Sequence, residues 1–306
     1  MLLFTHPDCE THAMPRHPER PERLSAVMKR LAADGLTDES RTVLATEITR
    51  ADLERVHPAR FVDRIEACEP SSGLARVDPD TYMCAGSARA ARLAAGACVD
   101  ATAAVLAGES QTAFCAVRPP GHHAEVAEAM GFCLFNNVAA GVQKALATPG
   151  IERVAVLDFD VHHCNGTVDI FRDDERVLVC SSFQDHFYPH RYLDFENSHI
   201  VRTPLSAGAG SHPFRRAIER DWVPAIEAHR PQLIFVSAGF DAHERDPVGE
   251  LELIDDDYAW ITRTIVDLAR DHAEGRIIST MEGGYDLEGL AGGAAAHVAA
   301  LLDAGR

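Results

Sequence analysis

The segment DFDVHHCNGT, residues 158 to 167, directly follows the apolar run RVAVL, and its first seven positions hold two carboxylates, two imidazoles and a thiol. Asp158, Asp160 and His162 are spaced by two, so in an extended backbone they project to one side while Phe159 and Val161 project to the other. Two carboxylates and an imidazole on one face are costly to bury unless a cation joins them. Asp160 and His162, with Asp241 from another strand end, would make a three-ligand site with open positions, the arrangement of a catalytic rather than a structural metal. Zn(II) suits such a set, and Fe(II), Co(II) or Mn(II) could also fit. The competing possibility is that Asp160 and His162 cap a helix starting near Thr167 and satisfy loop amides.

Two further motifs carry reactive groups. PPGHH supplies the adjacent imidazoles of His122 and His123; beside a metal, one can act as general base on water while the other serves as electrostatic partner or acid. GGYD places two permissive glycines before Tyr285, letting its phenol reach a cleft where the O–H could bond a developing oxyanion.

These groups need elements to bring them together. Four apolar runs lead straight into polar or Gly-rich turns: TAFCAV before RPPGHH, RVAVL before DFDVHH, QLIFVSAGF before DAHERD, and RIISTM before EGGYD. Their continuous apolar character predicts strands covered on both faces, as in a parallel sheet. Helical stretches are predicted over 86–108, 136–150, 211–231 and 255–275; in the last, Tyr258, Ile261, Ile265 and Leu268 recur at helical spacing, with an acidic start and Gly275 as the stop. Alternation of this kind gives an α/β fold with a mainly parallel sheet, whose ligands bind beyond the carboxyl ends of the strands. All four predicted ends carry reactive side chains.

The 306 residues contain no linker-like stretch and no repeat, which favours one domain over 1–306. No basic leader or long uncharged apolar run is present, and eight cysteines lie scattered without CxxC spacing, so a cytoplasmic protein without disulfides or membrane contact is expected. With 29 Lys plus Arg against 47 Asp plus Glu, the net charge of -18 argues against a nucleic-acid groove; it serves solubility first, and would also attract cationic substrates.

With these residues in view, the chain resembles the histone deacetylase family in its broad sense, including bacterial deacetylase-like amidohydrolases and acetylpolyamine amidohydrolases. The matching segments are HPERPERL (17–24), DPDTYMCAGS (78–87), RPPGHHA (118–124), GFCLFNNVA (131–139), DFDVHHCNGT (158–167), SAGFDAHERDP (237–247) and EGGYDLEGL (282–290), in family order. The resemblance implies an arginase-deacetylase type fold with an eight-stranded parallel sheet, and a zinc-dependent amide hydrolase. It implies zinc on Asp160, His162 and Asp241, a catalytic pair in His122 and His123, and Tyr285 as oxyanion donor. It also implies structural potassium near Asp158 and Ser181, with backbone oxygens of Asp160 and His162 assisting and Asp158 orienting His122. Phe132 and Tyr188 carry over as walls of an acyl-lysine tunnel.

Four departures stand out. Asn165 lies where some members carry Asp, so the histidine it supports meets an amide, as in the class II branch. Cys164 replaces a common Gly; a positive φ there would strain it, and a thiol near the metal shell could instead sense oxidants. After FYP the chain reads HRYLDFEN rather than a Gly-Thr-Gly turn, placing His190 and Arg191 near the expected mouth. Val248 stands where polyamine-selective relatives tend to place an acidic gatekeeper; an apolar residue cannot pair with a second ammonium, which ranks acyl-lysine above acetylpolyamine substrates. The other readings are hydrolysis of small acylated amines, a non-catalytic acyl-ligand binder, and a nucleotide-binding module that lacks its glycine motif; a homo-oligomer remains open.

Overall fold

The four apolar runs form the four central strands of one sheet in the computed structural model, which describes residues 1–304. Residues 305 and 306 of the expected single domain lie outside the described residues. The strands are β1 (Leu2–Thr5), β2 (Arg41–Leu44), β3 (Ala75–Arg76), β4 (Tyr82–Met83), β5 (Thr112–Cys115), β6 (Val154–Asp158), β7 (Val177–Gln184), β8 (Ile200–Leu205), β9 (Ile234–Ala238) and β10 (Ile277–Met281). The helices are α1 (Glu22–Ala33), α2 (Arg50–Leu53), α3 (Ala59–Cys68), α4 (Ser87–Leu106), α5 (Asn137–Leu146), α6 (Asn165–Phe171), α7 (Ser211–His229), α8 (Asp255–His272) and α9 (Leu287–Asp303).

Eight strands pair in the order β2-β1-β5-β10-β9-β6-β7-β8, and every neighbouring pair is parallel. Every residue of β5, β6, β9 and β10 is buried, as strands covered on both faces require, whereas the edge strand β2 is largely exposed. Phe235 meets Gly141 of α5 on one face, while Ser279, in register with Val236, meets His297 of α9 on the other. Helices α4 and α5 pack together on the first face; α8, α9 and α1 form the second group.

The predicted helices appear with trimmed ends as α4, α5, α7 and α8. The sequence pattern does not mark β1, β2, β7 or β8. Strand β7 carries Ser181, Ser182 and Gln184 inside the sheet, which breaks the apolar run, and β1 and β2 have four residues each. Among the described residues no helix is long and apolar enough to cross a membrane.

One consequence of the strand order positions the site. Strands β5 and β6 are consecutive across α5, yet β10 and β9 lie between them, so the segments leaving β5, β6, β9 and β10 converge at the carboxyl edge of four adjacent strands.

Candidate active site

Asp158 ends β6, and the next four residues bring Asp160 and His162 to the carboxyl edge, where Asp241 arrives three residues beyond β9. One ligand atom from each of Asp160, His162 and Asp241 lies within 4.8 Å of the others, and all three residues are buried. Backbone amides steer the carboxylates: Asp160 Oδ1 accepts from the His162 amide at 2.9 Å, Asp160 Oδ2 from Gly283 at 2.9 Å, and Asp241 Oδ1 from Val161 at 2.9 Å. Asp241 Oδ2 lies 3.2 Å from His162 Nδ1 but outside hydrogen-bond geometry, and is a buried oxygen without a hydrogen-bond partner among the described residues. Glycines make the cradle. A Cβ on Gly283 would fall 2.0 Å from Asp241 Oδ2, and one on Gly239 2.1 Å from Asp160 Oδ2.

Burial opposes charge on His162, yet Asp160 and Asp241 outweigh it and lift its pKa to about 9. The cluster therefore demands positive charge at its centre. An oxygen-nitrogen-oxygen donor set with an orphaned carboxylate oxygen fits a divalent cation. Of the competing reading, the helix-capping half does not hold, since Cys164 is the residue before α6 with no side-chain cap, whereas the loop-amide half does: the Asp160 oxygens accept from the amides of His162 and Gly283.

His122 and His123 follow β5 on the RPPGHH turn, their ring centroids 4.0 Å apart. His122 Nδ1 lies 2.9 Å from Asp158 Oδ2, and His123 Nδ1 lies 2.7 Å from Asn165 Oδ1. Burial disfavours charge on both, but Asp160 and Asp158 reverse the balance at His122 and raise its pKa well above the usual value. At His123, burial and the neighbouring His122 and His162 push the pKa well below it. One imidazole is driven towards the charged form and its neighbour towards the neutral one, the separation that acid-base pairs use.

Tyr285 follows β10 through Gly283 and Gly284, the latter at φ 126°. Burial and nearby carboxylates, only partly offset by Arg23, raise its phenol pKa well above 10, so the O–H is kept. The Arg23 guanidinium lies 4.9 Å from the Tyr285 ring centroid and donates to the carbonyls of Glu282 and Gly284. Tyr285, His123, His162, Phe132, Tyr188 and Val248 line one cavity of about 210 Å³, together with Phe187 and Asp80. Phe132 packs edge-on to Tyr285 at 5.7 Å, and Tyr188 edge-on to His123 at 5.2 Å. The expected wall residues are thus brought to one space with His123 and Tyr285, while His122, packed against His123, does not line it.

Asp158 and Ser181 are register partners on β6 and β7, and Asp158 bonds His122 as the resemblance implied. Ser181 Oγ lies 3.0 Å from His163 Nδ1, which gives His163 a structural contact that the sequence did not offer. Asn165 serves His123. Cys164 has φ -76°, so the conditional expectation of a positive φ is corrected: no strain arises there. Its thiol is fully buried, and burial and Asp158 raise its pKa well above 9, which removes the thiolate an oxidant sensor needs.

For several contributors the sequence showed the segment that holds them but not their role. Glu282, buried before the Gly-Gly pair, accepts from the amides of Gly121 and His122 at 2.7 and 3.2 Å, and burial pushes its pKa up to about 7. Asp80 and Thr81 accept from the amides of Gly131 and Phe132 at 3.0 Å each, holding Phe132 at φ 67°. Phe187 stacks on His162 at 5.5 Å.

Residues 17–301 match the family described as the histone deacetylase domain. The histone deacetylase-like amidohydrolase of Pseudomonas aeruginosa is 40% identical over 276 residues, spanning 88% of this chain and 72% of that protein. The polyamine deacetylase HDAC10 of Homo sapiens is 34% identical, spanning 98% of this chain and 46% of that one. Among solved structures, the crystal structure of the HDA15 HD domain superposes with a TM-score of 0.93 at 34% identity, covering 99% of this chain and 89% of that chain.

Proposed function

The chain belongs to the histone deacetylase family of amide hydrolases, and we propose that it is a zinc-dependent amidohydrolase that removes acetyl or other acyl groups from acylated lysine side chains. The carrying observation is that the Asp160, His162 and Asp241 ligand atoms lie within 4.8 Å of one another beside a cavity that His123 and Tyr285 also line. Residues 1–306 act as one catalytic domain in this reading.

Asp160, His162 and Asp241 would hold the zinc, which when bound supplies Lewis acidity to a water and an acyl oxygen. His123 Nδ1 gives its hydrogen to Asn165 Oδ1, so Nε2 keeps a lone pair and takes a proton from the attacking water. His122, charged beside Asp158, stands next to it as the source of the proton for the leaving amine. The Tyr285 O–H donates to the oxygen on which charge develops, from a ring that Arg23 holds in place. Phe132, Tyr188 and Val248 flank the methylene chain of the substrate. A structural potassium ion near Asp158 and Ser181 is part of the proposal, supported by the pairing of these residues across β6 and β7.

Hydrolysis of acetylpolyamines or other small acylated amines is the second reading. Similarity to a protein named a polyamine deacetylase favours it, and the apolar Val248 at the cavity wall weighs against it. We place the protein in the cytoplasm, supported by eight unpaired cysteines. Nucleic acid and membranes are not among the proposed partners, and a homo-oligomer is compatible with the reading.

The test is amine release by zinc-loaded protein from acetyl-lysine peptides, acetylputrescine and acetylspermidine, with His123→Ala as control. Metal-dependent release from the peptides, lost in His123→Ala, is expected. Faster release from the acetylpolyamines would move the assignment to the second reading. Wild-type and His123→Ala proteins equally inert across the panel would refute hydrolysis and leave an acyl-ligand binder.

A further inference from the structure

Which nitrogen of His123 is basic depends on the group that faces the other one. Asn165 Oδ1 stands 2.7 Å from His123 Nδ1, and Asn165 Nδ2 donates to Glu125 Oε1 at 2.7 Å. A carboxylate only accepts, so the contact with Glu125 belongs to the amide nitrogen, and the amide oxygen is thereby turned towards His123. An amide turned the other way would present N–H to Nδ1, move the ring hydrogen to Nε2 and remove the lone pair that faces the cavity. Glu125, helped by the His123 carbonyl that accepts from the same Asn165 Nδ2 at a longer 3.4 Å, therefore sets the tautomer of His123 at one remove.

Glu125 is itself held from outside. Arg191 Nη1 donates to Glu125 Oε2 at 2.7 Å and to Glu128 Oε2 at 2.6 Å. The Glu125 side chain is 8% exposed and that of Arg191 43%, so the pair runs from the surface into the protein. Arg191 belongs to HRYLDFEN, where the sequence departs from a Gly-Thr-Gly turn, and both its neighbours, His190 and Tyr192, take positive φ, 57° and 56°. Non-glycine residues adopt that conformation only where surroundings fix it. Here Tyr192 Oη donates to Asp169 Oδ1 at 2.6 Å, and Asp169 Oδ2 accepts from the amide of Val126 at 3.0 Å. The loop thus grips Glu125 by its side chain and, through Asp169 of α6, the next residue by its backbone.

We propose that Arg191 and Glu125 are positioning residues for the hydrolysis, coupling the 185–199 loop through Asn165 to the hydrogen on His123 Nδ1. The proposal rests on the reading of His123 as the base. It makes this loop a determinant of turnover as well as of access to the cavity.

Wild-type, Glu125→Ala, Glu125→Gln, Arg191→Ala and His123→Ala proteins are compared on an acetyl-lysine peptide, and the imidazole nitrogens are followed by NMR in 15N-histidine-labelled protein. Glu125→Ala and Arg191→Ala are expected to lower kcat about 10-fold, one hydrogen bond's worth, with little change in KM. Glu125→Gln, whose amide oxygen can accept the same hydrogen, is expected to turn over faster than Glu125→Ala. The His123 Nδ1–H signal is expected in wild type and weakened in Glu125→Ala. Wild-type kcat in both alanine variants, an unchanged His123 signal, or Glu125→Gln as slow as Glu125→Ala would each overturn the positioning role, while inactivity of His123→Ala would still uphold the base. Full activity of His123→Ala would instead remove the base assignment on which the proposal stands.

Discussion

Among single residues, Gly283 is the most tightly constrained by the candidate metal centre. Its amide donates to Asp160 Oδ2 at 2.9 Å, and a Cβ there would sit 2.0 Å from Asp241 Oδ2 and 2.6 Å from Asp160 Oδ2. Gly283→Ala must push both carboxylates out of place. Loss of about 10–100-fold in metal affinity or activity is expected, by analogy with disturbed outer-shell partners. Metal content after dialysis against a buffered zinc series, with amine release alongside, measures it; wild-type affinity would count against Asp160 and Asp241 as joint ligands. The ligands themselves were legible because a spacing of two at a buried strand end sets Asp158, Asp160 and His162 on one side, where a cation offsets the cost of burying them. Glu282, Asp80 and Thr81 were not, since each acts on the backbone of a segment far away in sequence: Glu282 on Gly121 and His122, Asp80 on Gly131, Thr81 on Phe132. A lone carboxylate before Gly-Gly has no spacing to read.

Between elements, the join of the N-terminal segment to the turn after β10 depends on one carboxylate. Glu19 accepts from Arg118 at 2.7 and 2.5 Å and from Arg23 at 3.2 Å, all three side chains being fully buried. Burial opposes its charge, but Arg118, His12 and Arg23 hold its pKa down at about 2. Arg23, at the start of α1, in turn holds the carbonyls of Glu282 and Gly284 beneath Tyr285. Glu19→Gln would leave two buried guanidiniums facing a neutral amide. A stability loss of about 3–5 kcal/mol is expected in urea unfolding, and kcat should fall in the folded fraction as Tyr285 loses its support. A variant as stable as wild type would show that the carbonyls alone neutralise Arg23 and Arg118. The sequence displayed HPERPERL as a motif but not this role, because the i,i+4 pair of Glu19 and Arg23 reads equally as an exposed helix pair. The central strands were legible for the opposite reason: β5, β6, β9 and β10 are buried on both faces and so remain continuously apolar. Strand β7 is equally buried, yet Ser181, Ser182 and Gln184 are satisfied inside the protein, which no local pattern announces.

Across the whole molecule, buried imidazoles that do not line the cavity are locked neutral, and they shape how the fold responds to acid. His57 accepts the Asn136 amide at Nε2 (3.0 Å) and lies 3.1 Å from the Val126 carbonyl at Nδ1, which fixes one neutral tautomer. His297 sits between Thr262 Oγ1 at 2.6 Å and Ser279 Oγ at 2.8 Å. The Thr262 hydroxyl gives its hydrogen to the Tyr258 carbonyl, so His297 Nδ1 donates to Thr262 and Nε2 accepts from Ser279. Burial lowers the pKa of His57 to about 4 and of His297 to about 3, against about 6.5 in the unfolded chain. With folded values depressed, the unfolded chain binds these protons first; stability is complete above about pH 6.5 and is lost as pH falls towards 4 and 3. Each histidine contributes a slope approaching about 1.4 kcal/mol per pH unit within that window. Surface carboxylates work the other way, since their protonation relieves the repulsion of a net charge of -18, but that relief begins near their own pKa of about 4. Buried Glu282 also opposes the histidines between about pH 7 and 5, because its pKa of about 7 lets the folded state take up a proton there; the difference between wild type and His297→Gln therefore isolates the histidine. His297→Gln should be less stable than wild type at pH 7, and its urea midpoint should decline less steeply than that of wild type between pH 6.5 and 5. Equal pH slopes for wild type and His297→Gln between pH 6.5 and 5 would mean that the interior admits the His297 imidazolium without cost, contrary to its neutral hydrogen-bond pattern.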